Sequence, residues 1–367
     1  MLSFNKVGDK LYNIREYNIN NRWIYSTRSD KSKFVSIMHI ISLAVLLEFL
    51  IFEAAADFIY NFLIYDLGFF QSDFAYLFSP DELHYIFYNI ASVLLTLTAS
   101  SITIVFLIFC LRNLVFEQSI TVRDKISYKF KFPKNTAPLL AMGLLIIQLS
   151  LILSEVFNYF LYYFFGIGLD RSFDYLYFPE TIFGVILYFF TIVIMPAFIE
   201  EFIFRYIMLN ALKKYGNTFA IITTSLLFGF LHARTSAIFY ATAIGFFTAY
   251  IAIKTRSIWF SIILHAIVNA TSFFFQYVAV QPITDAEYDI IYFSFISVIS
   301  IISLIYTIIL IRKKKNLKLS LPGNYTHIEN KRKLMFFFNA AAIIFFILVI
   351  IKSAGDYGFA GMPDINI

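Results

Sequence analysis

The sequence predicts an all-α polytopic membrane protein, a bundle of about nine transmembrane helices with the N-terminus inside and the C-terminus outside. Three observations carry that expectation. The chain of 367 residues is 60% hydrophobic, 20% aromatic and only 14% charged, with a mean hydropathy of +0.74, where a soluble domain is nearer a quarter charged. Its apolar residues gather into runs long enough to cross a hydrocarbon core of about 30 Å. The loops between those runs alternate in charge, so the small net charge of +5 matters less than its distribution.

Residues 1–33 scatter Lys6, Lys10, Arg15, Arg22, Arg28, Lys31 and Lys33 among polar residues. They lack the apolar core and small-residue cleavage site of a signal peptide and predict a cytoplasmic N-terminal tail. Apolar runs follow near 34–64, 85–111, 136–165, 181–212, 217–233, 236–253, 257–279, 288–311 and 335–351. The first is too long for one span and carries Glu48, Glu53 and Asp57. Its part 34–52 is expected to be the helix. The remainder is expected to lie as an amphipathic segment at the outer interface, where solvation accounts for the carboxylates. Within 236–253, Ala237, Ala241, Gly245 and Ala249 recur at every fourth position. Small residues at that spacing share one face and let helices approach closely, a packing signal rather than a site.

The loops sort by sign. Arg112, Arg123, Lys125, Lys129, Lys131 and Lys134 fill 112–135; Lys213 and Lys214, then Lys254 and Arg256, then 312–315 with 331–333, mark every second loop after it. The alternate loops carry Asp66, Asp73, Asp81 and Glu82; Asp170, Asp174 and Glu180; and Asp285, Glu287 and Asp289. That alternation sets the expected orientation, because Lys and Arg accumulate on the cytoplasmic side. Four segments result: a tail at 1–33, additional membrane helices and a basic loop at 34–135, a core at 136–280, and C-terminal helices with a basic loop at 281–367.

Chemistry concentrates in the core. Glu200, Glu201 and Arg205 follow a run, 181–199, that carries no charge at all. At about 2.5–3.5 kcal/mol per mid-helix charge, three uncompensated ones would cost roughly 8–10 kcal/mol. Charge inside a membrane span is a functional-site hypothesis by default. Glu201 and Arg205 are four apart and share a helix face, so they can pair. Glu200 points about 100° away and is left available as a base for water. Pro196 removes a backbone hydrogen bond one turn earlier and is expected to open space beside the carboxylates.

Only five histidines exist: His39, His84, His232, His265 and His327. His232 ends the run Phe228-Gly-Phe-Leu-His232, and taken alone it fits an interfacial residue equally well. His265 and Asn269 are four apart on one face, either as a helix–helix hydrogen-bonding pair or as two donors aimed at one place. Depth permits convergence. At about 1.5 Å per residue, Glu200 lies roughly 20 Å from the level of Lys213, His265 and Asn269 roughly 14 and 20 Å from Arg256, and His232 roughly 22 Å from Asn217. All four fall within about 8 Å of one level inside the membrane. The single cysteine, Cys110, excludes an intrachain disulfide and a Cys-based metal site.

Glu200-Glu201-Phe-Ile-Phe-Arg205, then Phe228-Gly-Phe-Leu-His232, then His265-Ala-Ile-Val-Asn269 resemble the motifs of the CAAX protease and bacteriocin-processing (CPBP, or Abi) family. That family includes the type II CAAX prenyl endopeptidases. The resemblance covers roughly 136–280 and leaves 1–110 and 288–367 outside. It implies an intramembrane endopeptidase in which Glu200 and His232 activate a water, His265 and Asn269 form the oxyanion hole, and Glu201 with Arg205 is a structural pair. It implies no metal, although Glu200 with His232 and His265 could also form a zinc shell of two histidines and a carboxylate. The chain has no His-Glu-x-x-His. The expected partners are a peptide or protein substrate in or at the membrane and the lipid bilayer, with no nucleic acid. A bacterial plasma membrane is the expected location. The substrate would be a peptide, leader or pheromone precursor, or a membrane-protein segment. Two readings compete: a non-catalytic membrane scaffold, against which the intact motifs argue, and a transporter, against which the lack of a detectable inverted repeat argues.

Overall fold

The computed structural model describes residues 21–25, 28–62, 80–112, 126–128, 137–165, 178–312 and 323–356. The tail at 1–20, most of the basic loop 112–135, and the loop residues Asp66, Asp73, Asp170, Asp174 and Lys313 to Lys315 lie outside the described residues. The described chain is overwhelmingly helical, and each of the nine apolar runs falls largely within a helix. These are α1 (Arg28–Asn61), α2 (Pro80–Leu111), α3 (Ala137–Phe165), α4 (Ile182–Tyr215), α5 (Asn217–Leu231), α6 (Thr235–Thr255), α7 (Trp259–Ala279), α8 (Asp285–Arg312) and α10 (Ala340–Asp356); a tenth, short helix, α9 (Asn330–Leu334), is basic and lies before the last run.

Seven of these are long and apolar enough to cross a membrane: α1 to α4 and α6 to α8. The α9 stretch and α10 meet at a 52° bend, and counting that pair as one span gives eight. Helix α5 has 15 residues, about 22 Å at 1.5 Å per residue, which falls short of a core of about 30 Å. The protein is therefore an integral membrane protein of seven or eight such helices among the described residues. Length is what separates α5 from the nine expected.

The first helix also differs from expectation. It begins at Arg28 and runs unbroken to Asn61, with no separate interfacial segment. An acid in its first turn, Asp30, suits the positive end of the helix dipole. Its carboxylates Glu48 and Glu53 turn inward, as described below, which corrects the expectation that the outer interface solvates them; the Asp57 side chain lies outside the described residues. Two short strands were also not anticipated: β1 (Asn21–Tyr25) pairs in parallel with β2 (Gly323–His327).

The two ends of the bundle differ in sign. At one end β1 lies against β2, Lys31 reaches Glu329 at 3.3 Å, and Ser127 bridges to Ser257 beside Arg256. Asn210 ties the same end by exchanging hydrogen bonds with the backbone of Ile126 at 3.0 and 3.1 Å. Thus the described parts of the basic stretches gather together. At the other end Glu82, in the first turn of α2, accepts from the backbone N–H groups of Glu180 at 2.8 Å and Thr181 at 3.2 Å. Thr181 in turn caps α4 by accepting from the Gly184 N–H. A buried acid and an N-cap hydroxyl satisfy donors that the start of α4 would otherwise leave unpaired.

Packing follows the small residues. Helix α6 lies between α5 on one side and α3 and α7 on others. A Cβ built on Gly229 of α5 would fall 1.9 Å from the Thr242 Oγ1 of α6, and one on Gly245 would fall 3.0 Å from the Ser225 Cα. Only glycine allows that approach. Helix α1 packs on α2 and α10, and α2 on the start of α4. Aliphatic and aromatic side chains such as Phe109, Tyr163, Ile182 and Ile301 stay outward, as expected of a lipid-facing surface.

Candidate active site

Helix α4 is irregular where its charges sit. Phe190–Ile194 and Phe202–Met208 are π-helical turns, with the Met195 N–H bonded to the Phe190 carbonyl and the Leu209 N–H to the Phe204 carbonyl. Such turns recur at functional sites because they re-aim side chains. Glu200 and Glu201 occupy the short α-helical stretch Met195–Glu201 between them. Pro196, with no N–H to give, is the second residue after the first π turn.

Glu201 and Arg205 are both fully buried, with Arg205 Nε 3.2 Å from Glu201 Oε2. The guanidinium also donates to Thr248 Oγ1 of α6, from Nε at 3.0 Å and Nη2 at 2.6 Å. Its Cζ lies 4.8 Å from the centroid of the Phe228 ring, within the range of a cation–π contact. Phe228 meets His232 and His265 edge-on, with ring centroids 5.1 and 5.7 Å away. The aromatic of the Phe-x-x-x-His motif is therefore a hub that spaces both histidines and covers the arginine.

Each histidine has one nitrogen committed. His232 Nδ1 is 2.9 Å from the carbonyl of Phe228; a carbonyl only accepts, so Nδ1 carries the proton and Nε2 is left with a lone pair. His232 caps α5 and is followed by Ala233 at φ 55°. That left-handed end is usually given to glycine. The Ser353 hydroxyl of α10 donates to the Ala233 carbonyl and holds it there. On α7, buried His265 places Nδ1 3.2 Å from Glu201 Oε1. Glu201 thus bridges Arg205 and His265, a link that goes beyond the simple pair expected from sequence.

Glu200, His232, His265 and Asn269 come from α4, the end of α5 and α7, and all four line one cavity of about 450 Å³. Glu201 and Arg205 stand behind its wall. Glu200 Oε2 is buried with no hydrogen-bond partner among the described residues. The cavity has a further wall that motif reading missed: Glu48 and Glu53 of α1, Ser100 of α2, and Lys352 of α10. Glu53 and Lys352 form an ion pair. The signal was present as three acids in the run 34–64, but periodicity alone does not say which way they face. Thr248 gave no signal, since threonine in a membrane helix is common and its own hydroxyl also bonds the Ile244 carbonyl.

Among the described residues, no three His, Cys, Asp or Glu side chains are grouped so as to hold a metal ion.

Residues 182–271 match the family model described as "Type II CAAX prenyl endopeptidase Rce1-like". A curated relative in Bacillus subtilis (strain 168), named "Putative membrane peptidase YdiL", is 36% identical over 77 residues. The match spans 21% of this chain and 32% of that protein, so the chain covers about a third of the length of the curated relative. No solved structure matches the chain.

Proposed function

We propose, from the match of residues 182–271 to the type II CAAX prenyl endopeptidase family model, that the chain is an intramembrane endopeptidase of the CAAX protease (CPBP) type using a glutamate-activated water. The observation that supports this best is the convergence of Glu200, His232, His265 and Asn269, drawn from three segments, on a single cavity. Glu200 offers an unpartnered carboxylate oxygen, and His232 offers the lone pair of Nε2. A water between them can give one hydrogen bond to each, leaving its oxygen free to attack.

As the water oxygen bonds to the peptide carbonyl carbon, its proton passes to Glu200. The carbonyl oxygen becomes an oxyanion, accepted by donors from His265 and the Asn269 amide. When the C–N bond breaks, Glu200 returns the proton to the departing amine, and a carboxylic acid remains on the other fragment. For His265 to donate from Nε2, its ring must carry both protons, since Nδ1 donates to Glu201. Glu200, Glu201, Arg205 and that ring then sum to zero charge, which suits a site in hydrocarbon. Arg205, held by Thr248 and Phe228, fixes Glu201, and Glu201 fixes the ring.

The N-terminus is assigned to the cytoplasm, because the gathered basic end follows the positive-inside rule. A bacterial plasma membrane and a peptide, leader or membrane-protein substrate complete the reading. In reconstituted membranes, Glu200→Ala and His232→Ala abolish cleavage while the protein remains folded and inserted. Asn269→Ala lowers kcat by about 10²–10³ if its amide serves the oxyanion. Normal processing by the first two variants would refute the reading. A zinc mechanism is tested separately: loss of activity with a chelator and its return with zinc would replace the metal-free route.

A further inference from the structure

The cavity holds a second carboxylate that the motifs do not supply. Glu48 of α1 lies outside the family-matched stretch and is only 8% exposed. Its Oε1 accepts from the Ser100 hydroxyl of α2 at 3.1 Å. Its Oε2 is buried with no hydrogen-bond partner among the described residues. Glu48 and Ser100 line the same cavity as Glu200 and His232. A buried carboxylate oxygen without a donor is an uncommon and costly feature, and a donor brought by a ligand would relieve it.

Charge and shape indicate what that donor is. Of the acids lining the cavity, Glu53 is already paired with Lys352 and Glu200 belongs to the charge-balanced reacting group, which leaves Glu48 as the lining acid without a cation. Phe49 and Phe52 line the wall beside Glu48. An apolar wall ending in a fixed acceptor suits a side chain with an aliphatic stem and a cationic tip. We propose that Glu48, oriented by Ser100, is a binding subsite for a lysine or arginine side chain of the peptide that lies across the Glu200 site. This rests on the peptidase reading for the identity of the ligand as a peptide substrate, and it assigns α1 and α2 a part in substrate selection.

The test measures binding rather than turnover. The full chain is placed in phosphatidylcholine nanodiscs, with empty discs subtracted. The probes are fluorescent apolar hexapeptides, blocked at both ends, in which one lysine is scanned through all positions against norleucine at the same position. Wild type should bind at least one lysine peptide about tenfold or more tighter than its norleucine partner, as a charge-assisted contact predicts. Glu48→Gln should lose most of that preference while binding norleucine peptides as wild type does, which also shows that it is folded. Glu48→Asp should retain a preference and Ser100→Ala should weaken it. No lysine preference in wild type, or an equal preference in wild type and Glu48→Gln, would overturn the subsite. Cleavage of the same peptides by wild type and Glu200→Ala is scored separately, so failure of the reaction and failure of the subsite give different results.

Discussion

At Arg205 a guanidinium with no exposure meets Glu201, Thr248 and the face of Phe228. Removing one partner of a buried ion pair leaves the other charge uncompensated and typically costs about 3–5 kcal/mol. Arg205→Ala should therefore lose about that much stability in detergent-resistant unfolding. Arg205→Lys should recover only part of it, because an ammonium lacks the planar fork that reaches Glu201 and Thr248 together. An unchanged unfolding midpoint in both variants would contradict the assigned role. The Glu201–Arg205 contact was legible in the sequence, since a spacing of four on a helix leaves few alternatives. The bond from His265 to Glu201 was not, because 64 residues separate them and nothing local encodes which faces of α4 and α7 meet. Glu48 is visible as an acid in an apolar run, but run length ends that span near residue 52 and places the acids near its end in water, whereas the helix continues to Asn61.

Among the elements, α4 departs furthest from a simple span. Its two π turns bracket Glu200 and Glu201, and no propensity argument forecasts an i→i+5 bond from residue type. The contact between α5 and α6 was easier to anticipate, because a small residue at every fourth position on α6 announces a close neighbour. What the stripe did not reveal is that the same helix carries Thr248 to Arg205. Gly229 makes the sharpest forecast: its Cβ would fall 1.9 Å from Thr242 Oγ1 and 2.8 Å from the Ile238 carbonyl oxygen. Gly229→Ala should push α5 from α6 and cost about 1–3 kcal/mol, as overpacking does. Since His232 caps α5, cleavage should fall with stability. Gly229→Ala combined with Thr242→Ser or Thr242→Ala should not restore both, because the Ile238 backbone contact remains; full rescue would show that only the side chain was at fault.

For the whole molecule, the alternation of loop charge and the gathering of basic segments at one end describe the same fact from two sides. Apolar run length located each long helix among the described residues, but it could not separate seven or eight spans from nine, because α5 is too short and α10 is bent from its predecessor. Sidedness gives a prediction at this scale. In a Cys110→Ala background, a cysteine placed at Thr326 should react with a membrane-impermeant maleimide only from the cytoplasmic side, and one placed at Glu180 only from the opposite side. The reverse pattern would invert the assigned orientation. The family-matched stretch, 182–271, supplies the proposed reacting groups, whereas α1, α2 and α10 close the cavity around them and hold Ala233 beside His232. The central claim is that Glu200 activates water for peptide hydrolysis, and comparative peptidomics of cells carrying wild type or Glu200→Ala at equal membrane levels tests it most directly. The account predicts peptides present with wild type and missing, with their precursor retained, in the variant; identical peptide populations in the two would contradict it.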